Sequence, residues 1–281
     1  MQKPIIAIMY DFDKTLCTRD MQEYTFIPSI GMEPSDFWGH TAVVAARETM
    51  DSILTYMYCM VEKSHQSGNP LTRESLVACG KDIEYHPGVE GWFERINRYA
   101  EEAGVQVEHY VLSSGLKEII EGTSIAKYFK KIYACEFLYK DGQAYWPKMA
   151  VNYTNKTQFV YRINKGVLDI NNDADLNSSR PDSEKRVFFS NMIYIGDGLT
   201  DVPCMKLVKQ SGGHSIAIYH PGEQEKAAPL LKHERVDWMF EADYRENSEL
   251  DKCMKLLLEN LSSYNELRSM NEHQKKEIHT I

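Results

Sequence analysis

Asp11 and Asp13 follow the apolar run Pro4-Ile5-Ile6-Ala7-Ile8-Met9-Tyr10, with one residue between them. Carboxylates placed directly after a core strand cost desolvation unless something pairs with them. Two aspartates alone fit a surface turn as readily as a site. The same placement recurs twice. Ser113-Ser114-Gly115 follows the run from Val105 to Leu112, and Asp197 and Asp201 follow Met192-Ile193-Tyr194-Ile195. In an open α/β sheet, ligands bind at the carboxyl ends of the strands, so a parallel sheet would converge these groups at one edge. Four carboxylates at one place repel one another unless a cation sits among them. All-oxygen ligands with room for water suit Mg²⁺, which takes one or two protein carboxylates plus phosphate oxygens. Ser113-Ser114-Gly115 reads as the opening of a helix, where free N–H groups and the positive dipole end favour an anion. Lys156 adds a point charge for the same anion. A cation, an anion cradle and aspartates together imply phosphoryl chemistry.

The elements that must position these groups alternate along most of the chain. The first run reads as a buried parallel strand, short and isoleucine-rich. From about Pro34 to Gln66 the apolar spacing predicts one long helical stretch, broken by Gly68-Asn69-Pro70. Thr72, with Ser75 three positions on, predicts the N-cap of a second helix. The Tyr56, Met57, Tyr58 and Met60 stripe reads as packing rather than a substrate pocket. Beyond His86-Pro87-Gly88 an amphipathic helix runs from Val89 to Ala103 and ends at Gly104. Strand, helix and strand then follow, with Lys140-Asp141-Gly142 as a hairpin turn. Asn155-Lys156 precedes a helix to Ile163. The tract from Asp169 to Arg186 is polar and reads as a loop or small excursion. Its Asp169-x-Asn171-x-Asp173 spacing resembles a calcium loop, but Ala174 and Arg180 stand where that loop needs glycine and glutamate. Ser215 to Tyr219 reads as the last core strand, and a helix extends from Asn247. The fold class is therefore α/β, with a helical insertion between about Cys17 and Tyr85.

Composition narrows the partners. The formal charge of −9 argues against gripping nucleic-acid phosphates through a broad basic face. The six cysteines are scattered, with no CxxC, which favours reduced thiols in a cytoplasmic protein. No signal-peptide pattern or membrane-length apolar run is evident, so neither secretion nor a membrane partner is expected.

Asp11-Phe12-Asp13-Lys14-Thr15-Leu16 resembles the first motif (DxDxT) of the haloacid dehalogenase-like superfamily. Ser113 matches its second motif, Lys156 its third, and Gly196-Asp197-Gly198-Leu199-Thr200-Asp201 its fourth (GDxxxD). The resemblance spans about residues 5–220. It implies a Rossmann-like core, a central parallel sheet flanked by helices, formed by 1–16 and 86–281. Residues 17–85 would be a helical cap like that of phosphoserine phosphatase-like members.

By the same resemblance Asp11 would be the nucleophile that becomes an aspartyl-phosphate, and Asp13 the general acid and base. Mg²⁺ would be held by the Asp11 and Asp197 carboxylates and the Asp13 main-chain carbonyl. Ser113, the Ser114 and Gly115 amides and Lys156 would hold the phosphoryl group. Asp201 would pair with Lys156 or a metal-bound water, and Thr15 would support the turn. The presence of Asp13 favours phosphoryl transfer over dehalogenation, since a halide leaves without a proton. The spacing from Lys156 to Asp197 is long for the family, which keeps Lys148 and Lys165 as rivals for the third-motif role. The expected activity is Mg²⁺-dependent hydrolysis of a small phosphomonoester. Phosphoryl transfer to another acceptor and a non-catalytic binding role are the alternatives. The natural substrate and the oligomeric state are not legible. Glu23, Trp38 and Arg47 in the insertion read as packing or surface residues, and His214 and His220 as loop residues.

Overall fold

The computed structural model describes residues 3–181 and 184–278. β1 (Ile5–Tyr10) is followed by a helical block of α1 (Phe26–Ser29), α2 (Pro34–Glu48), α3 (Ser52–Ser67) and α4 (Arg73–Cys79). The chain then alternates through α5 (Val89–Glu102), β2 (Gln106–Leu116), α6 (Lys117–Glu121) and the hairpin β3 (Phe129–Lys140) and β4 (Gln143–Met149). α7 (Lys156–Lys165), α8 (Asp173–Asn177), β5 (Met192–Gly196), α9 (Val202–Gln210) and β6 (His214–Tyr219) follow. α10 (Gln224–Lys232), β7 (Trp238–Glu241) and α11 (Glu249–Ile278) complete the order. Among the described residues no helix is long and apolar enough to cross a membrane.

The strands form one sheet in the order β4-β3-β2-β1-β5-β6-β7. All neighbours are parallel except the β3–β4 hairpin. The chain winds outward from β1 to β3, then returns to lay β5 against the other side of β1. That reversal between β1 and β5 is where an open α/β sheet leaves a crevice at its carboxyl edge. The β1 residues from Ile6 to Tyr10 are buried, as a strand covered on both faces requires.

Helices pack on the sheet as their periodicity dictates. α5 buries Val89, Trp92, Phe93, Ile96 and Ala100, one stripe at helical spacing. Trp92 Nε1 donates to Tyr10 Oη at 3.0 Å, which in turn pairs with His109 Nδ1 at 3.0 Å, so the buried polar groups of β1, β2 and α5 satisfy one another. α5 contacts α11, and α7 contacts α9.

The helical block leaves and rejoins the sheet through one crossing point. Cys17 and Tyr85 form an isolated antiparallel bridge, flanked by Thr18 N–H to Glu84 O at 3.0 Å and His86 N–H to Leu16 O at 3.1 Å.

Local structure departs from the sequence reading in three places. The stretch from Pro34 to Gln66 is two helices: Thr49 adopts left-handed φ of 52°, and the Asp51 carboxylate caps α3 through Ile53 and Leu54 N–H. Gly115 does not open a helix, because β2 continues to Leu116 and α6 spans five residues. β6 is not the last strand, since α10 and β7 follow it, and His214 is the first residue of β6 rather than a loop residue. The polar tract is a small excursion, as its composition suggests: it includes α8 and is pinned by Arg162, which donates to Asp169 O at 2.6 Å and Asp173 Oδ1 at 2.7 Å.

Candidate active site

Asp11 is the first residue past β1, and its N–H still donates to Ile195 O of β5 at 2.9 Å. The chain then folds back tightly: the N–H groups of Thr15, Leu16 and Cys17 all converge on Phe12 O. Lys14 takes left-handed φ of 57° to make the turn, and His86 Nε2 holds its carbonyl at 3.3 Å. The turn brings Asp13 beside Asp11 and Thr15 toward the next strand. Thr15 Oγ1 donates to Asp197 Oδ1 at 3.4 Å, and Tyr244 Oη donates to Thr15 O at 2.8 Å.

Lys156 opens α7 after a turn made by Asn152, whose Oδ1 accepts from Thr154 and Asn155 N–H at 3.1 Å each. Its Nζ lies 2.7 Å from Asp11 Oδ1 and 2.8 Å from Asp201 Oδ1, and the side chain is 1% exposed. The rivals are engaged elsewhere: Lys148 pairs with Glu136 at 2.8 Å, and Lys165 donates to Leu176 O and Ser178 O. The single 3₁₀ turn Leu199–Asp201 carries the Asp201 carboxylate back under Gly196, where a Cβ would stand 2.5 Å from Asp201 Oδ2. Tyr194 Oη also donates to Asp201 Oδ1, at 2.8 Å.

Electrostatics follow from burial. Asp11 and Asp197 are both held well above the ordinary carboxylate range, first by desolvation and then by the charge of Asp201. Burial and the neighbouring charges of Asp20 and Asp11 raise Asp13 as well. For Lys156, desolvation favours the neutral amine, but Asp11 and Asp201 outweigh it and hold the ammonium charged.

The Asp13 carboxylate lies outside the group formed by Asp11, Asp197 and Asp201. Its Oδ1 accepts from Met21 N–H at 2.7 Å, and its Oδ2 faces Gly115, where a Cβ would stand 2.7 Å away. The carboxylates of Asp11, Asp197 and Asp201 instead offer oxygens within 4.8 Å of one another. Hard oxygen donors under mutual repulsion suit a small divalent cation. The Asp201 carboxylate joins the expected Asp11 and Asp197 carboxylates in that group, and the role expected of Asp13 involves its main-chain carbonyl rather than its side chain.

Ser113 is fully buried, and its Oγ accepts from Gly115 N–H at 2.9 Å, which leaves the hydroxyl proton to donate. Because Gly115 N–H is directed at Ser113 and α6 begins at Lys117, Ser113-Ser114-Gly115 is an extended strand end rather than a helix N-terminus. Ser114 Oγ is buried without a hydrogen-bond partner.

Three contacts at the site carry no motif signal in the sequence. Tyr194 on Asp201 is hidden inside an apolar strand. Tyr56 Oη reaches from α3 to Ser114 O at 2.8 Å, and Lys14 Nζ pairs with Asp20 at 2.6 Å. Tyr56, Met57 and Met60 are buried in packing, whereas Tyr58 is exposed.

A family model described as haloacid dehalogenase-like hydrolase matches residues 8–206. An uncharacterized protein of Borreliella burgdorferi is 28% identical over 280 residues, covering 88% of this chain and 94% of its own. A HAD family hydrolase from Salmonella enterica serovar Typhi superimposes with a TM-score of 0.56 at 16% identity, covering 91% of this chain and 72% of its own. A phosphoserine phosphatase solved as a phospho-aspartyl intermediate analogue gives 0.54 at 18% identity, over 90% of this chain and 99% of its own.

Proposed function

The chain belongs to the haloacid dehalogenase-like hydrolase family, and on that premise we propose that it is a Mg²⁺-dependent phosphatase acting on a small phosphomonoester. The observation that carries the reading is the Lys156 ammonium, shared between Asp11 at 2.7 Å and Asp201 at 2.8 Å at the carboxyl edge of the sheet.

The roles follow from what each group can do. Asp11 attacks phosphorus, and the Lys156 ammonium aims its carboxylate and opposes the rise that burial and Asp201 impose on it. Asp13, held protonated by burial and neighbouring charge, donates a proton to the leaving oxygen, then accepts one from the attacking water. Lys156 and the Ser113 hydroxyl offset charge on the phosphoryl oxygens. The Asp11 and Asp197 carboxylates and the Asp13 carbonyl would hold Mg²⁺, which when bound neutralises charge on the phosphoryl group. Thr15 keeps Asp197 turned toward Asp11, and Tyr194 does the same for Asp201.

The helical block, residues 17–85, acts as the cap. With Asp11, Ser113, Lys156 and Asp201 all buried, the substrate reaches them only when the block swings on the Cys17–Tyr85 crossing. Closing it excludes bulk water during the first step, with Tyr56 joining α3 to the carbonyl of Ser114.

The test is hydrolysis of an aryl phosphate with and without Mg²⁺, alongside Asp11→Asn. Activity that depends on Mg²⁺ and vanishes in Asp11→Asn supports the reading. Full activity in the variant overturns it.

A further inference from the structure

Away from the aspartate site, His40 on α2 and Cys59 and Glu62 on α3 bring an imidazole nitrogen, a thiol and a carboxylate oxygen within 4.8 Å of one another. We propose that this cluster is a second metal site, taking a thiophilic divalent cation of the Zn²⁺ class.

Donor chemistry selects the ion. Nitrogen, sulfur and oxygen together suit Zn²⁺, whereas Mg²⁺ prefers oxygen alone. Ligand atoms around a tetrahedral Zn²⁺ stand about 3.4 Å apart, given metal–ligand distances of about 2.0–2.3 Å. His40 Nε2 and Glu62 Oε2 already stand 3.2 Å apart. Cys59 and Glu62 share one helix face at i and i+3, which presents both to the neighbouring helix.

A second observation is independent of that spacing. Cys59 is fully buried, and among the described residues its thiol makes no hydrogen bond. A free thiol carries its proton at neutral pH. Binding would release that one proton to solvent, leaving thiolate, carboxylate and neutral imidazole around the cation with no net charge. His40 and Glu62 side chains are 33% and 30% exposed, so the ion has a route in and a water can take its fourth position. Tyr58 Oη donates to Glu62 Oε1 at 3.4 Å and steadies the carboxylate from outside. Lys63 Nζ, 3.7 Å from Glu62 Oε2, is the cation that the ion would displace.

The site ties α2 to α3 one turn from Tyr56, the α3 residue bonded to Ser114 O. Its occupant would fix the two longest helices of the block as one unit.

The experiment uses the full chain, stripped with chelator and titrated with Co²⁺ in excess Mg²⁺ to occupy the aspartate site. The expected result is one equivalent of near-ultraviolet thiolate-to-cobalt absorption, displaced by Zn²⁺ and absent in Cys59→Ser. His40→Gln and Glu62→Gln should weaken Zn²⁺ binding about tenfold or more. These two side chains reach the surface, so their variants carry the test if Cys59→Ser fails to fold. Asp11→Asn should keep the absorption, which separates this site from the proposed phosphatase centre. No thiolate absorption in the folded wild type, absorption undiminished in folded Cys59→Ser, or unchanged Zn²⁺ affinity in both surface variants overturns the proposal.

Discussion

Lys156 Nζ stands 2.7 Å from Asp11 Oδ1, with the lysine side chain 1% exposed and the aspartate 8%. A pair this far from water is held by geometry, because each charge loses its hydration and keeps only its protein partners in return. Asp201 is the third member, so removing the lysine strands two carboxylates.

Lys156→Met should therefore cost stability as well as activity. The expected loss is about 3–5 kcal/mol in urea unfolding, the usual cost of breaking a buried pair. Added Mg²⁺ should recover part of it by occupying the same carboxylates. Unfolding curves with and without Mg²⁺ check this; an unchanged midpoint would show that the pair is not coupled to folding.

Asp13→Asn should slow turnover by about 10²–10⁴-fold for an alkyl phosphate, whose leaving oxygen needs a proton. For a nitrophenyl phosphate, which leaves as a stable anion, the loss in the first step should be far smaller. Burst kinetics on the two substrates separate the steps. Equal losses on both would remove Asp13 from the acid role.

Gly115→Ala tests the cradle. The added Cβ would stand 2.1 Å from Met21 Cε and 2.7 Å from Asp13 Oδ2. Asp13 must move, and a misplacement of about 1 Å costs on the order of 10²-fold in rate. Circular dichroism should show the fold retained while kcat falls.

Tyr194→Phe removes one hydrogen bond from Asp201 and leaves packing in place. The expected stability loss is about 1–3 kcal/mol, since a buried carboxylate loses a partner. A fall in kcat with unchanged KM would mark Tyr194 as a positioning residue. No change in either constant would mean that Lys156 and the Gly198 N–H hold Asp201 without it.

Stability should fall in acid through Glu108. Burial raises its carboxyl, but hydrogen bonds from Arg186, Lys130 and Tyr110 outweigh burial and hold it at about 2. A lowered carboxyl adds stability above the unfolded-state value of about 4.5, and that stability is lost as pH falls from there toward 2. The contribution is about 1–3 kcal/mol, since the partly exposed Arg186 and Lys130 are screened by solvent. Comparing wild type with Glu108→Gln, the difference in unfolding free energy should shrink between pH 6 and pH 3. His109 acts in the same direction over a higher window. Burial lowers it to about 3, so the unfolded chain takes up its proton first as pH falls below about 6.5.

Local signals carried much of the fold. The Thr72 and Ser75 side chains form a reciprocal cap on α4, and Asp141 and Gly142 supply the positive φ values that the β3–β4 turn needs. These depend on residues a few positions apart, where backbone sterics and short hydrogen bonds decide. Neither glycine nor proline marks the break at Thr49, so no local pattern signals it. β7, four residues long and only partly buried, has no alternation strong enough to announce a strand.

By itself the sequence determined the α/β alternation, the aspartates after β1 and β5, and the family whose motifs they match. Those features are local pattern and residue type. Only the tertiary structure decided that Lys156 rather than Lys148 or Lys165 meets Asp11, that Asp13 turns toward Met21 and Gly115, and that Tyr194 holds Asp201. It also kept Gly115 out of a helix, because β2 rejoins β3 at Leu116 and Cys135 after an irregular stretch from Leu112. Each of these depends on which strand ends lie side by side. Asp11 and Lys156 are 145 residues apart, and the winding of the sheet about β1, not any local preference, closes that separation to a hydrogen bond.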